Sequence, residues 1–320
     1  MTCDFSIVSP VYLSAELVPL LVDRVMAAAR GVSENFELIL VDDGSPDEAW
    51  GRILAACATD SRIRGVRLTR NFGQQNAITA GLIHARGQRV IVMDADLQDD
   101  PSYIPALLAR AEAGYEVVLT RKKTREYGSL RNGITLLYYK IFNTLADVPA
   151  GDGHIGGFSL ISRRVVDAYL KLPDYQRDYL LLVRWMGFRT SVLEVTHAVR
   201  PAGRSSYTPF RLARYALQSL TSHSTALLRL AVAIGFAYVV VAAMGIVYLV
   251  VGHFNQSYRP GWASTVVLIL GSTGTILMAI GVLGVYLGNI FDQVRGRPWF
   301  LVGETANLEP SAPAPRDPGN

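Results

Sequence analysis

The chain has little cysteine and, along much of its second half, no acid. Two cysteines in 320 residues, Cys3 and Cys57, exclude a disulfide scaffold. Their spacing excludes a thiolate metal site, so both are expected as free thiols. From Val195 to Phe291 there is no Asp or Glu, while six Arg fall in that stretch. The net charge is +4, so the rest of the chain is net acidic. Residues 230–252 and 262–288 lack charge of either sign, which excludes the solvated face of an ordinary surface helix. The opening residues, MTCDFSIVSP, lack a basic region and a cleavage site, so no signal peptide is expected. No internal repeat is present, which excludes a solenoid.

What is present begins with those two uncharged runs. Each exceeds the roughly 20 apolar residues that a bilayer core requires of a helix, so each is expected to span. Two buried core helices are the alternative, but such helices normally keep a polar face. Arg200, Arg204, Arg211, Arg214 and Arg229 precede the first run, and Arg295 and Arg297 follow the second. The positive-inside rule then puts both termini in the cytoplasm of a protein that crosses the membrane more than once. A basic collar beside spans suits anionic lipid headgroups and not nucleic acid. Residues 207–229 are expected to form a juxtamembrane amphipathic helix, with Phe210, Leu217, Leu220 and Leu227 near one side. In the second run Gly281, Gly284 and Gly288 fall near one face. They would join protomers in a homo-oligomer or pack the two spans of one chain. The expected organisation is a cytosolic domain at 1–206, the collar helix at 207–229 and a two-helix membrane domain at 230–291. A cytosolic tail at 292–320, Pro-rich and disordered from about 306, completes it.

The first 120 residues alternate strand and helix signals. Strands are expected at 5–9, 37–41, 63–68, 89–94 and 116–120. Helices are expected at 15–30, 47–58, 74–86 and 102–113. Continuous apolar strands separated by helices of this length predict βαβ units, an α/β fold with a mostly parallel sheet. Farther on, the pattern predicts a helix at 129–145, a Gly-rich loop at 147–157 and a strand at 158–162. Helices at 163–171 and 177–187 and a β segment near 189–200 follow. In parallel sheets ligands bind beyond the carboxyl ends of the strands. Four consecutive strands run there into polar or turn residues: Pro10 and Tyr12, DDGS (42–45), TRNFG (69–73) and DADLQDD (94–100).

DADLQDD carries the clearest chemistry. Asp94 and Asp96 are one residue apart at a strand end, where both can reach one cation, and Gln98 adds a neutral oxygen. Hard oxygen donors suit Mg²⁺ or Mn²⁺, which keep waters and bind substrate phosphates. A diphosphate leaving group needs such a cation. Asp99 and Asp100, just before Pro101, are expected to open the next helix. Asp42 and Asp43 can hold a base or a ribose. They can equally close a turn, with Ser45 and Asp47 capping the helix that follows.

SPVY, VDDGS, TRNFGQQNAITAGL and MDADLQDDP, in this order, resemble glycosyltransferase family two with its GT-A nucleotide-diphosphosugar fold. GSLRNGITLLYYKIFN (128–143), HAVRPAGRSSY (197–207) and YLGNIFDQVRGRPWFLV (286–302) narrow the resemblance to the polyprenyl-phosphate sugar transferases. The resemblance implies a metal and diphosphate site at Asp94, Asp96 and Gln98. It implies a nucleotide-sugar pocket at Pro10, Tyr12, Asp42, Asp43, Asn71 and Asp94. Arg121 and Arg131 match basic residues that hold phosphate near the metal. Arg200, Ser205 and Tyr207, with Arg204 supplying charge, match the segment that approaches the lipid phosphate. Asp94, Asp96, Arg131 and Arg200 are the catalytic candidates. The implied partners are a nucleotide-sugar, a polyprenyl phosphate and the bilayer, and the resemblance implies that this bilayer is a bacterial inner (plasma) membrane.

Three departures from the family pattern stand out. Leu13 and Ser14 replace the Asn and Glu of P-x-Y-N-E. Gly157 and Ser159 replace the Asp and Arg of G-D-F-R-L. Ser206 replaces the Lys of S-K-Y. The loss at 157 removes one proposed base. A phosphate acceptor tolerates that loss, because its second pKa lies near 6 and it is already a nucleophile at neutral pH. Asp152 and His154 lie in the same loop and are candidates to orient it. The implied reaction is inverting transfer to undecaprenyl phosphate. The alternatives are transfer to another lipid, such as diacylglycerol, or non-catalytic binding of a nucleotide-sugar.

Overall fold

The stretch FSIVSPV buries every residue, and period-two geometry sends successive side chains to opposite faces of a sheet. The computed structural model, which describes residues 3–122, 155–196, 226–254 and 261–308, is organised by that alternation. Strand β1 (Phe5–Val11) is followed by α1 (Val18–Arg30), β2 (Phe36–Asp42), α2 (Ala49–Thr59) and β3 (Ile63–Leu68). Next come α3 (Gln74–His84), β4 (Arg89–Val92), α4 (Ile104–Glu112) and β5 (Val117–Lys122). Then follow β6 (Ile155–Ser162), α5 (Arg163–Lys171), α6 (Tyr179–Trp185) and β7 (Thr190–Val195). The chain closes with α7 (Ala226–Phe254), α8 (Trp262–Val294) and β8 (Val302–Ala306).

The strands form one sheet in the order β7-β5-β6-β4-β1-β2-β3-β8. The β4-β1-β2-β3 block is parallel, and β7 runs parallel to β5. Antiparallel pairings place β6 between β4 and β5, and β8 along β3. On one face Ile7, Leu38, Leu40 and Ile91 pack with Leu21 of α1, Ile53 of α2 and Leu107 of α4. On the other, Val8, Ile39, Val41 and Val66 pack with Ile78 of α3, Val165 of α5 and Leu182 of α6. Each fully buried aliphatic side chain stabilises the fold by roughly 1.5–3 kcal/mol. Helix α3 lies tight against β1. A Cβ on its Gly81 would stand 2.3 Å from Val8 Cγ1, so only glycine lets the helix settle onto β1. That seat fixes where the first turn of α3 meets the carboxyl edge.

The expected strands and helices recur within a few residues, with informative exceptions. β4 ends at Val92 and not at Asp94, although Met93 N still donates to Val8 O at 3.0 Å. β6 starts at Ile155, earlier than expected, because Gly156 and Gly157 read as loop until a partner strand holds them. The expected helix at 129–145, residues 147–154 of the expected loop at 147–157, and residues 207–225 of the expected surface helix at 207–229 lie outside the described residues.

Part of the expected C-terminal tail, ahead of the point from which disorder is expected, is a strand. Residues 302–306 are an edge strand: Thr69 N donates to Leu301 O at 3.0 Å, and Gly65 pairs with Ala306. Glu304 accepts from Trp50 Nε1 at 2.9 Å and from Arg67 at 2.8 Å. Asn307 Nδ2 donates to the carbonyls of Cys57 and Ile63 at 2.7 and 2.8 Å. Just upstream, Trp299 Nε1 donates to Asp174 O at 3.0 Å. The Trp299 ring covers the buried Arg177 guanidinium at 3.9 Å, with Tyr169 at 4.3 Å. The segment forms a strand because β3 offers it an open edge, not because VGETA carries a strong β pattern.

Contacts divide the chain into two units, one of Met1–Tyr139, Ala150–Ser206 and Gly296–Asn320, the other of Lys140–Pro149 and Tyr207–Arg295. In the second unit Tyr238 of α7 donates to Leu268 O of α8 at 3.0 Å. Among the described residues one helical segment, Gly271–Val294, is long and apolar enough to cross a membrane. The described apolar stretch of α7, Ala231–Gly245, is shorter. Large apolar side chains of α8 such as Leu277 (63% exposed) and Leu287 (67%) stand open, as lipid-facing residues do. No atom lies within 4 Å of a Cβ placed on Gly281, Gly284 or Gly288, so this stripe is not where α7 packs among the described residues. Cys3 and Cys57 are free, and burial pushes both thiols up to about 11, which keeps them protonated and inert.

Candidate active site at the carboxyl edge of the sheet

Because β1, β2, β3 and β4 are parallel neighbours, the loops that leave them share one edge. The β1 loop exposes Tyr12 (44%) and turns at Leu13, whose φ is 51°. Ser45 Oγ accepts from Leu13 N at 3.2 Å and Asp47 Oδ2 from Ala15 N at 3.1 Å. This corrects the expectation that Ser45 and Asp47 cap α2. Only Asp47 Oδ1 meets its first residue, Ala49 N, at 3.3 Å, and the residue at the cap, Glu48, makes no side-chain cap bond. Pro10 is buried within β1 opposite Val41. Asn71 is exposed on the β3 loop.

Both carboxylates of VDDGS turn inward. Asp42 is fully buried. Its Oδ1 accepts from Ser45 N at 3.0 Å and its Oδ2 faces Arg67 Nε at 3.5 Å. Asp43 accepts from Phe72 N at 2.7 Å and Gly73 N at 2.9 Å. Burial nevertheless pushes its carboxyl up to about 6, against the lowering effect of those two bonds. Directly after them, Gly44 adopts φ +63°, and a Cβ there would stand 2.4 Å from the Arg70 carbonyl carbon. The β2 and β3 loops are thus joined backbone to backbone, and Asp43 secures the loop that opens α3.

The DxD loop follows β4. Asp94 N donates to Asp99 Oδ2 at 3.3 Å, so the buried Asp99 braces the DxD loop. Asp100 caps the turn that opens the next helix, accepting from Ser102 N at 2.9 Å. Asp96 Oδ1 accepts from Gln98 N at 3.1 Å, a backbone link from the residue expected to offer a side-chain oxygen. Leu97 sits at φ 59° with its side chain buried, a left-handed conformation that costs about 1–2 kcal/mol and that buried packing holds in place. Among the described residues no three His, Cys, Asp or Glu form a preassembled metal cage. Two half-buried carboxylates fit a Mg²⁺ or Mn²⁺ ion that completes its shell with water and substrate phosphate.

Two features of this loop were not legible in advance. Gln74 Nε2, from the first turn of α3, donates to Asp94 Oδ1 at 2.7 Å. Gly157, where the family pattern carries Asp, presents an open Cβ direction 3.8 Å from the same oxygen. On β6, Ser159 Oγ donates to Gly157 O at 3.1 Å and meets Tyr179 OH at 2.9 Å. Burial pushes the Tyr179 phenol well above its ordinary range, so it stays protonated. The polar pair QQ directly after Gly73 was the available signal for Gln74.

Arg121 lies at the end of β5. It lines a cleft of about 400 Å³ with Leu119, Ile155, Arg184, Phe188 and Val192. Arg184, on α6, was not anticipated. Arg131, Asp152, His154, Arg200, Arg204, Ser205 and Tyr207 lie outside the described residues.

The model of glycosyl transferase family 2 matches residues 6–170. The chain belongs to glycosyl transferase family 2. It is 36% identical over 317 residues to the undecaprenyl-phosphate 4-deoxy-4-formamido-L-arabinose transferase of Pseudomonas fluorescens, covering 97% of this chain and 92% of that protein. It is 32% identical over 308 residues to the bactoprenol glucosyl transferase of Shigella phage SfII, covering 95% and 99%. Among solved structures, glucosyl-3-phosphoglycerate synthase from Mycobacterium tuberculosis, in complex with Mn²⁺, UDP-glucose and phosphoglyceric acid, has a similar fold. The TM-score is 0.51 at 17% identity, over 69% of this chain and 78% of that one.

Proposed function

We propose that this family 2 glycosyl transferase moves a sugar from a nucleotide-sugar, UDP-linked, to undecaprenyl phosphate at the cytosolic face of the membrane, with inversion. The observation that carries the reading is the position of Asp94 and Asp96 at the carboxyl end of β4, on the edge where β1, β2 and β3 also end. The near full-length similarity to transferases named for undecaprenyl phosphate and bactoprenol supports the acceptor class.

In this reading Asp94 and Asp96, with Gln98 as a further oxygen, hold Mg²⁺ or Mn²⁺. The bound ion supplies charge neutralisation to the departing diphosphate. Tyr12 and Asn71 form the open rim of the nucleotide pocket, and Pro10, Asp42 and Asp43 shape it from beneath. Arg121 and Arg131 hold phosphate near the reacting carbon. Arg200, Arg204, Ser205 and Tyr207 draw the lipid phosphate out of the headgroup layer, as guanidinium forks do for phosphate oxygens. An oxygen of the lipid phosphate attacks the anomeric carbon while the bond from that carbon to the nucleoside diphosphate breaks on the opposite side. The phosphate is mostly dianionic at pH 7, so positioning and not deprotonation limits the step. Helices α7 and α8 both span, with both termini cytoplasmic, and the glycine stripe of α8 is available to a second copy.

The test is incorporation. Membranes holding the protein are incubated with undecaprenyl phosphate and a panel of radiolabelled nucleotide-sugars. Label is expected in the solvent-extracted polyprenyl fraction with one donor. Nucleotide binding without any labelled polyprenyl product would refute the reading in favour of a non-catalytic binder. Label in a diacylglycerol product would redirect it to another lipid.

A further inference from the structure

Gln74 donates to Asp94 Oδ1 at 2.7 Å, and the proposed reaction gives it no task. Its own position is imposed from two sides. The Gly73 that precedes it has φ 95°, and α3 has no cap from a side chain of its own N-terminal loop. Asp43 supplies what is missing, accepting from Phe72 N and Gly73 N, so the donor residue starts a helix whose entry is anchored by a buried carboxylate. On the far side, Gln75 Oε1 accepts from Tyr179 N at 2.9 Å. Tyr179 OH meets Ser159 Oγ, Ser159 donates to Gly157 O, and Gly157 faces Asp94. Bonds therefore run from Asp94 to Gln74, and from the neighbouring Gln75 through Tyr179 and Ser159 to the backbone of Gly157, whose open Cβ direction points at Asp94.

We infer that Gln74 is a positioning residue for the divalent cation, holding the Asp94 carboxylate in its liganding orientation before the ion arrives. The inference rests on the reading of Asp94 as a metal ligand. The choice of an amide is chemically apt. Lys or Arg at this place would also donate to Asp94, but its charge would repel the cation. A carboxylate would offer no donor. Glutamine gives an N–H and no charge. The donated hydrogen bond also competes for electron density on Oδ1, which opposes metal binding. That cost is small for a neutral donor, whereas loss of an outer-shell orienting partner typically weakens metal affinity 10- to 100-fold. Orientation therefore outweighs competition, and removing Gln74 should loosen the ion.

The experiment uses the full chain in detergent, with MnCl₂ titrated in the presence of UDP and free Mn²⁺ read by electron paramagnetic resonance. Gln74→Ala is expected to raise the Mn²⁺ dissociation constant about tenfold. Because Gln74 is exposed, the melting temperature should not change. In turnover assays the Mn²⁺ concentration for half-maximal rate should rise in step, while kcat at saturating Mn²⁺ stays within about threefold. Gln74→His, which keeps an uncharged N–H above pH 7.5, should recover most of the affinity. Equal Mn²⁺ affinity in wild type and Gln74→Ala overturns the inference and leaves the metal assignment standing. A lowered melting temperature that Gln74→His does not recover also overturns it, by assigning Gln74 a merely structural role. Wild-type protein that binds UDP but no Mn²⁺ overturns the metal assignment and the inference together.

Discussion

Gly157 faces Asp94 so directly that a Cβ on it would lie 3.8 Å from Asp94 Oδ1 and 3.9 Å from Oδ2. Both are ordinary contact distances, so Gly157→Asp is expected to fold. It would restore the carboxylate of the family pattern beside the metal-binding one. If the acceptor phosphate needs no base, that restoration should bring no gain in kcat between pH 6 and 9, and added negative charge should slow an anionic acceptor. Initial rates with saturating donor measure this. A gain of tenfold or more near pH 6 would mean that a base was missing after all.

Asp96→Ala should lower turnover by about 10³-fold or more, because the diphosphate departs without a fixed countercharge. The protein should still fractionate with membranes, since α7 and α8 are untouched. Retained activity at the wild-type Mn²⁺ requirement would remove Asp96 from the metal site.

Asp43 sets a pH dependence of stability. Its carboxyl is raised from 3.8 to about 6 by burial. Between those values the folded protein holds a proton that the unfolded chain releases. The stabilisation from this group is therefore complete below pH 3.8 and is lost as pH rises through about 6. Asp43→Asn cannot titrate there. Its melting temperature, relative to wild type, should climb as pH goes from 4 to 7 in detergent. A gap that stays constant over this range would show that Asp43 does not ionise in it.

Trp299→Ala should destabilise the unit that carries the sheet by about 2 kcal/mol, below the usual Trp→Ala cost because the ring is only half-buried. It removes one of two rings over a guanidinium that is itself 4% exposed. Trp299→Phe keeps a ring but loses the 2.9–3.0 Å class of bond that Nε1 makes to Asp174 O; it should cost about 1 kcal/mol. Chemical denaturation of the three proteins ranks them, and an alanine variant as stable as wild type would exclude the stacked arrangement.

Most of the βαβ core was legible because its strands are continuous apolar runs ending abruptly in polar clusters, as VIVM does at Asp94. Those local signals need no distant partner. β8 was illegible for the opposite reason. Val302 to Glu304 are exposed, VGETA has no buried alternation, and its pairing depends on β3. The site divided in the same way. The DxD position could be read, whereas for Asp42 and Asp43 a turn was only one of two open readings, since a strand end fixes where a carboxylate begins and not which backbone amides it meets. The signal for Gln74, the polar pair QQ directly after Gly73, was faint because a neutral amide stands out in neither charge nor hydropathy.

The return of the chain to the sheet also orders events during synthesis. Arg67 and Glu304 are 237 residues apart, which at about 5–20 residues per second separates their emergence from the ribosome by roughly ten to fifty seconds. Throughout that interval the outer edge of β3 has no neighbour, and both long apolar helices leave the ribosome before one arrives. The sheet is therefore finished only after those helices have met the bilayer or failed to. A nascent chain that stalls before residue 302 leaves a bare strand edge, a template for pairing with another chain.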